Sequence, residues 1–263
     1  MDWRLTPATS RVAHISLRGM VNAPVFTEGE ALQVAVPLAD LLRGPGGVRV
    51  RQLWLGEVFT VVDRDQGHAF GFAARDGYCG WLPEADLAKG AAPTHWVASV
   101  GTHLYREPRV QAAILPALPM GSQLRVVGQS GKYAETLQGF VPASHLRLLG
   151  DWQTDPVSVA EGFLGTPYLW GGNTRAGLDC SGLAQVAHLA CGIDFASDSD
   201  LQESVGRELG ADEALRRGDL LFWKGHVALV VDQARLIHAN GHSMLVAYEA
   251  IADCILRVQT TEG

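Results

Sequence analysis

The sequence contains four cysteines, Cys79, Cys180, Cys191 and Cys254, and nine histidines, and these are its candidates for covalent catalysis near neutral pH. A thiol attacks as its thiolate, and a helix N-terminus stabilises that form through unpaired N–H groups and the positive end of its dipole. Cys180 has this setting, because Ser181 to Ala190 places Leu183, Val186, Ala187 and Ala190 on one helical stripe that stops at Gly192. Cys191 lies at the wrong end of the same helix, Cys79 in a turn, and Cys254 in a stretch, Cys254 to Val258, that reads as a final strand. Those three read as structural. The cysteines are too sparse and irregular for a disulfide framework or a zinc knuckle, and no Cys-x-x-Cys pair occurs, so neither metal nor cofactor is expected.

A thiol nucleophile also needs a base and a group that orients the base. His226 and His238 lie on strand-like segments after the Cys180 helix, so their cooperation is a question of side-chain parity. If Asp232-Gln233-Ala234 is a three-residue turn, Val231 pairs with Arg235 and His238 falls opposite Ala228, a diagonal neighbour of His226 on the same face. Such diagonal pairs lie about 7–8 Å apart, within reach of two imidazole rings. A two-residue turn would put the rings on opposite faces.

The elements that must position these groups are a helix over Val157 to Leu164, the Cys180 helix, and then strands. The strands read as Asp219 to Trp223, His226 to Val231, Arg235 to Ala239, Met244 to Tyr248 and Cys254 to Val258, with turns at Lys224-Gly225 and Asn240-Gly241. This is an α+β pattern, helix first and antiparallel sheet after. Asp151 to Pro156 marks the boundary with a different front part, in which Glu57 to Asp63 and Ala69 to Ala73 are strand-like and Asp76-Gly77 is a turn signal. Gly77-Tyr78-Cys79-Gly80-Trp81-Leu82-Pro83 through Leu87 recurs as Gln138-Gly139-Phe140-Val141-Pro142 through Leu146, and Leu55 to Val62 echoes Met120 to Val127. Two copies of an all-β unit are therefore expected, over residues 1–90 with an extended N-terminal segment and over 91–150, ahead of a catalytic domain over 151–263.

Composition bounds the partner. Hydrophobic residues make up 47% and charged residues 19%, the balance of a globular protein, and the net charge of −7 argues against nucleic acid or a polybasic membrane surface as partner. No run approaches the roughly 18 apolar residues of a membrane-spanning helix. Met1 to Pro7 lacks a basic start and an apolar stretch, so a cytoplasmic location is expected, export being the alternative if the native start lies upstream.

Gly165-Thr166-Pro167-Tyr168-Leu169-Trp170-Gly171-Gly172, Asp179-Cys180-Ser181-Gly182, Gly218 to Phe222, His226-Val227-Ala228 and His238-Ala239, in this order, closely resemble the motifs of the NlpC family of papain-like cell-wall cysteine peptidases. In the front part, Gln52 to Glu57 and Asp76 to Trp81 resemble the bacterial SH3-like barrels that precede this domain in γ-D-glutamyl-L-diamino acid endopeptidases. The resemblance implies a papain-like domain behind two small SH3-like barrels. It also implies hydrolysis of the amide between γ-D-Glu and the diamino acid in small murein peptides with a free amino-terminal L-Ala.

By the same resemblance, Cys180 is the nucleophile, His226 the base and His238 its orienting partner, and Tyr168 with the Cys180 N–H stabilises the oxyanion. Glu57 and Tyr78, with Asp179, would hold the substrate ammonium, and Trp170, Ser181, Asp198 and Ser199 complete the substrate-binding set. The Arg that often precedes the Asp-Ser pair is Ser197 here, so a bidentate grip on a carboxylate gives way to one neutral hydrogen bond. The alternatives are an exported hydrolase or amidase whose barrels bind the wall, a non-catalytic wall-binding protein, and a thiol acyl transferase. The oligomeric state is not written in the sequence.

Overall fold

The structure, a computed structural model, describes residues 1–210 and 212–261. The chain divides into two compact units, Met1–Asp151 and a second that begins at Trp152.

The first unit is built on a seven-stranded antiparallel sheet. Its spatial order is Arg49–Trp54, Leu38–Leu42, Cys79–Pro83, His68–Ala73, Val58–Asp65, Glu30–Val34 and Leu87–Ala88. Register shifts between Leu41 and Leu42 and between Val61 and Asp63 bend two of the strands, which lets the sheet curl around Val34, Leu41, Leu53, Phe59, Val61 and Leu82. The N-terminal residues, where Pro and Gly break every periodic run, do not stay outside this sheet: two of its strands fall within residues 30–42. Ahead of them, Trp3 packs edge-on against Tyr78, with ring centroids 6.0 Å apart, and Thr9 Oγ1 donates to Asp63 Oδ2 at 2.7 Å.

Beyond residue 90 the strands are shorter. His95–Val97 pairs with Gln123–Leu124 and Leu146–Leu148, and Val126–Ser130, Tyr133–Thr136 and Phe140–Pro142 form a second sheet. Leu55, Val97, Leu104, Leu118, Leu124 and Val141 form one core here. The sequence repeat has a structural counterpart: Pro83 leads into a 3-10 turn, Glu84–Asp86, before Leu87, and Pro142 into another, Ala143–His145, before Leu146.

Glu57 is buried at 6% exposure. Its carboxylate accepts from Trp54 N at 2.7 Å and from Arg75 Nη1 at 2.8 and 3.0 Å, and the Arg75 guanidinium lies over the Trp54 ring. Burial pushes the Glu57 carboxyl up against the downward pull of Arg75. Removing one partner of a buried pair strands the other charge, so Glu57→Ala should lose about 3–5 kcal/mol in urea unfolding of this unit. A loss below about 1 kcal/mol, the value of an exposed pair, would show that the ion pair does not hold the barrel.

In the second unit, α1 (Pro156–Glu161) starts at Asp155, whose side chain accepts from Val157 N, and α2 (Cys180–Leu189) packs against α1 and against the strands His226–Val230 and Arg235–Asn240. Cys180 through His188 are all buried, as in a helix enclosed on every side. The sheet is antiparallel in the order Leu220–Trp223, His226–Val230, Arg235–Asn240, Leu245–Ala250. The strand expected over Cys254 to Val258 is instead part of a helix, α4 (Ile251–Thr261). Buried Ile251 and Cys254 and partly buried Val258 pack against the sheet residues Ala228, Val230 and Leu236, a three-to-four-residue spacing that a five-residue window hides.

Candidate active site

Cys180 is the first residue of α2, and Asp179 caps the helix. Asp179 Oδ1 accepts from Gly182 N at 2.7 Å and Ser181 Oγ at 3.1 Å, while Oδ2 accepts from Gly171 N at 2.8 Å. One carboxylate therefore joins the Gly171-Gly172 loop to the helix start. The approach is close enough that a Cβ on Gly182 would collide with the Gly172 carbonyl oxygen. Gly182→Ala should then force loop and helix apart, at about 1–3 kcal/mol of overpacking. The expected result is a lower thermal midpoint together with slower alkylation of Cys180; an unchanged midpoint would show that the helix start yields freely.

The Cys180 sulfur lies 3.9 Å from the carbonyl oxygen of Gly225, to which it donates, immediately before His226. His226 Nε2 and His238 Nδ1 are 2.9 Å apart, with the ring planes at 65°. Strand register produces this pair. Leu229 faces Ile237 and Val230 faces Leu236, and Val231 N donates to Arg235 O, so the hairpin carries the three-residue turn Asp232-Gln233-Ala234 and both rings share a face. Trp223, opposite His226 on the neighbouring strand, flanks its ring.

Burial lowers the His226 pKa to about 4, and Arg257 adds to this while Glu249 opposes it. Burial likewise lowers that of His238. Two neutral imidazoles and a thiol at a helix start are the parts of a proton-accepting base and its nucleophile. His238 is fully buried, and its Nε2 lies 3.1 Å from Glu249 Oε2, off the ring N–H axis. Arg257 holds Glu249 through Nε to Oε1 at 3.0 Å and Nη2 to Oε2 at 2.8 Å, which keeps that carboxyl below its ordinary range.

Glu249 and Arg257 escape the sequence reading because the first is one polar residue among several on a strand and the second sits on the segment misread as a strand. His238, Glu249 and Cys254 bring metal-ligand atom types within 4.8 Å of one another, but Arg257 is bonded to that carboxylate and to Cys254 Sγ, and the Cys254 thiol is pushed up to about 11 by burial. This donor set already holds a cation, and it does not suit a metal ion.

The other expected site residues divide between the units. Tyr168 forms a bridge with Leu178, and Trp170, 72% exposed, stands on the loop that Asp179 ties to α2. Ser181 is buried, and its carbonyl accepts from Gln202 Nε2 at 2.9 Å, which ties α3 (Ser199–Gln202), with Asp198 just ahead of it, to α2. Ser197 is buried and accepts from Gln185 Nε2 at 3.0 Å. Glu57 and Tyr78 belong to the first unit, both buried, the former ion-paired and the latter packed on Trp3.

The description of the NlpC/P60 family matches residues 165–260, which include Cys180, His226 and His238. These residues form an NlpC/P60 domain. Its Cys–His–His arrangement is that of a cysteine peptidase. Residues 41–87 match the bacterial dipeptidyl-peptidase SH3 domain, so the NlpC/P60 domain follows an SH3-like domain. Dipeptidyl-peptidase 6 of Lysinibacillus sphaericus is 38% identical over 84 residues, covering 32% of this chain and 31% of that protein. Gamma-D-glutamyl-L-lysine dipeptidyl-peptidase of Bacillus subtilis is 29% identical over 183 residues, 62% of this chain and 60% of its own length. The chain thus spans between about a third and three-fifths of these two curated relatives. An NlpC/P60 family protein from Bacillus cereus shares the fold, with a TM-score of 0.73 at 21% identity over 84% of this chain and 94% of that one.

Because both imidazoles stay neutral when folded, the unfolded chain takes up protons first on acidification. Their stability is present in full above about pH 6.5, the ordinary histidine value, and is lost as the pH falls towards 4. The urea midpoint of the second unit should drop over this window, and His226→Gln should flatten the drop. An equal drop in both proteins would mean that the ring is not held neutral.

Proposed function

We propose that this NlpC/P60 protein is a cysteine endopeptidase that hydrolyses the amide between γ-D-Glu and the diamino acid in small murein peptides with a free amino-terminal L-Ala. The observation that carries this reading is the Cys180 sulfur at the start of α2, beside the loop that delivers His226 to His238. The names of the relatives, dipeptidyl-peptidases with γ-D-glutamyl-L-lysine among the stated specificities, supply the substrate class.

The Cys180 thiol gives its proton to His226 and the sulfur attacks the γ-carbonyl carbon. Collapse of the tetrahedral intermediate breaks the C–N bond, and His226 returns the proton to the leaving amine. Water, deprotonated by His226, then hydrolyses the thioester and regenerates the thiol. Tyr168 and the backbone N–H of Cys180 take the role of oxyanion donors. Asp198 and Ser199 serve the γ-D-Glu portion, with Trp170 and Ser181 beside the nucleophile, while Asp179 answers to the substrate ammonium. In this reading the second repeat of the front unit is also an SH3-like barrel, supported by its matching Pro-led 3-10 turn. The enzyme acts in the cytoplasm, on peptides released during cell-wall recycling.

Purified protein should cleave L-Ala-γ-D-Glu-diaminopimelate between the second and third residues and leave its N-acetylated form intact. Equal rates on the two would remove the ammonium requirement, and full activity in Cys180→Ala would end the mechanism.

A further inference from the structure

We propose that Glu249 is a positioning residue of this site: its carboxylate, beside His238 Nε2, fixes the tautomers of both histidines so that His226 presents an unprotonated Nδ1 to Cys180. This rests on the cysteine-peptidase reading of the site and deepens it.

A hydrogen bond between two neutral imidazoles contains one proton, and either ring can supply it. If His238 carries its proton on Nε2, towards Glu249, its Nδ1 must accept, and His226 Nε2–H donates to it across 2.9 Å. His226 Nδ1 then has a lone pair and can take the thiol proton. If His238 carries its proton on Nδ1, the order reverses. His226 Nε2 becomes the acceptor, its Nδ1 bears the proton, and the ring cannot act as base towards Cys180. A carboxylate near His238 Nε2 selects the first arrangement, because it attracts an N–H and repels a lone pair.

Register puts Glu249 in place. His238 faces Ala247 across the strand pair, and Glu249 is the next residue on that face. His226, His238 and Glu249 therefore run diagonally across three adjacent strands, and Arg257, from α4, closes the line by gripping the carboxylate through both of its oxygens. Among the described residues, the charged and titratable groups that act on the two rings are Glu249 from the adjoining strand and Arg257 and Cys254 from α4, while the Cys180 sulfur lies at the carbonyl of Gly225, next to His226. Without Glu249, the Arg257 cation would face His238 Nε2 unopposed and favour a lone pair there, which is the unproductive arrangement.

The test uses full-length protein labelled with 15N at histidine. Long-range 1H–15N spectra at pH 7.5 read the tautomers of His226 and His238, and mass spectrometry follows iodoacetamide alkylation of Cys180 as a function of pH. The wild-type protein should show Nε2–H on both rings, and Glu249→Gln should move His226 to Nδ1–H. In Glu249→Gln, kcat should fall about 10- to 100-fold, the size of effect found when a metal-bound histidine loses the carboxylate behind it, with little change in KM, and Cys180 alkylation near neutral pH should slow in parallel. Glu249→Asp should recover part of each readout.

An Nδ1–H tautomer of His238 in the wild type overturns the proposal. So does a Glu249→Gln protein with unchanged His226 tautomer, whether its activity is kept or is lost along with its thermal midpoint. Spectra and alkylation need no substrate, so a protein that shows the tautomer shift but ignores murein peptides would refute the substrate assignment and leave this inference standing.

Discussion

The hydrogen bond between His226 and His238 is the interaction on which the catalytic unit depends, and it exists because a hairpin has three turn residues instead of two. Side chains alternate along a strand, so a one-residue slip would carry His238 to the opposite face while leaving the backbone ladder intact. The remaining elements hold that pairing still. Helix α2 packs against both histidine-bearing strands, and α4 covers Ala228, Val230 and Leu236 with Ile251 and Cys254.

Much of this was legible in the residues. The apolar stripe from Leu183 to Ala190 marks α2 and puts Cys180 at its start, and alternation with turn residues marks the four strands of the sheet. Parity made the histidine pair conditional on turn length, a condition that the residues alone leave open and that the register meets. What escaped was set by contacts distant in sequence. Glu249 reaches His238 only through the pairing of a further strand, and Arg257 reaches Glu249 only from a helix whose apolar positions, Ile251, Cys254 and Val258, look strand-like over five residues. The strand at Glu30–Val34 was hidden for another reason: its partners, Val58–Asp65 and Leu87–Ala88, lie tens of residues downstream, and nothing local demands the pairing.

Ser197 shows how a departure from a family pattern acquires a physical reason. Its side chain is buried and accepts from Gln185 Nε2, which also donates to Phe195 O. Gln202, wholly buried, donates to Ser181 O and Ala196 O. Two glutamines thus fasten the segment from Phe195 to Gln202 onto the nucleophile helix. A guanidinium at position 197 would have to leave this packed interior, so the small hydroxyl fits the local structure whatever it contributes to a ligand.

Asp179 carries a mechanical consequence. Because its two oxygens bind donors on the Gly171 loop and in the first turn of α2 at once, the loop bearing Trp170 and the peptide that follows the thiol cannot be displaced separately. The nucleophile's wall of the cleft is welded. Any motion of the backbone beside the sulfur must therefore carry the loop and the helix start together as one piece.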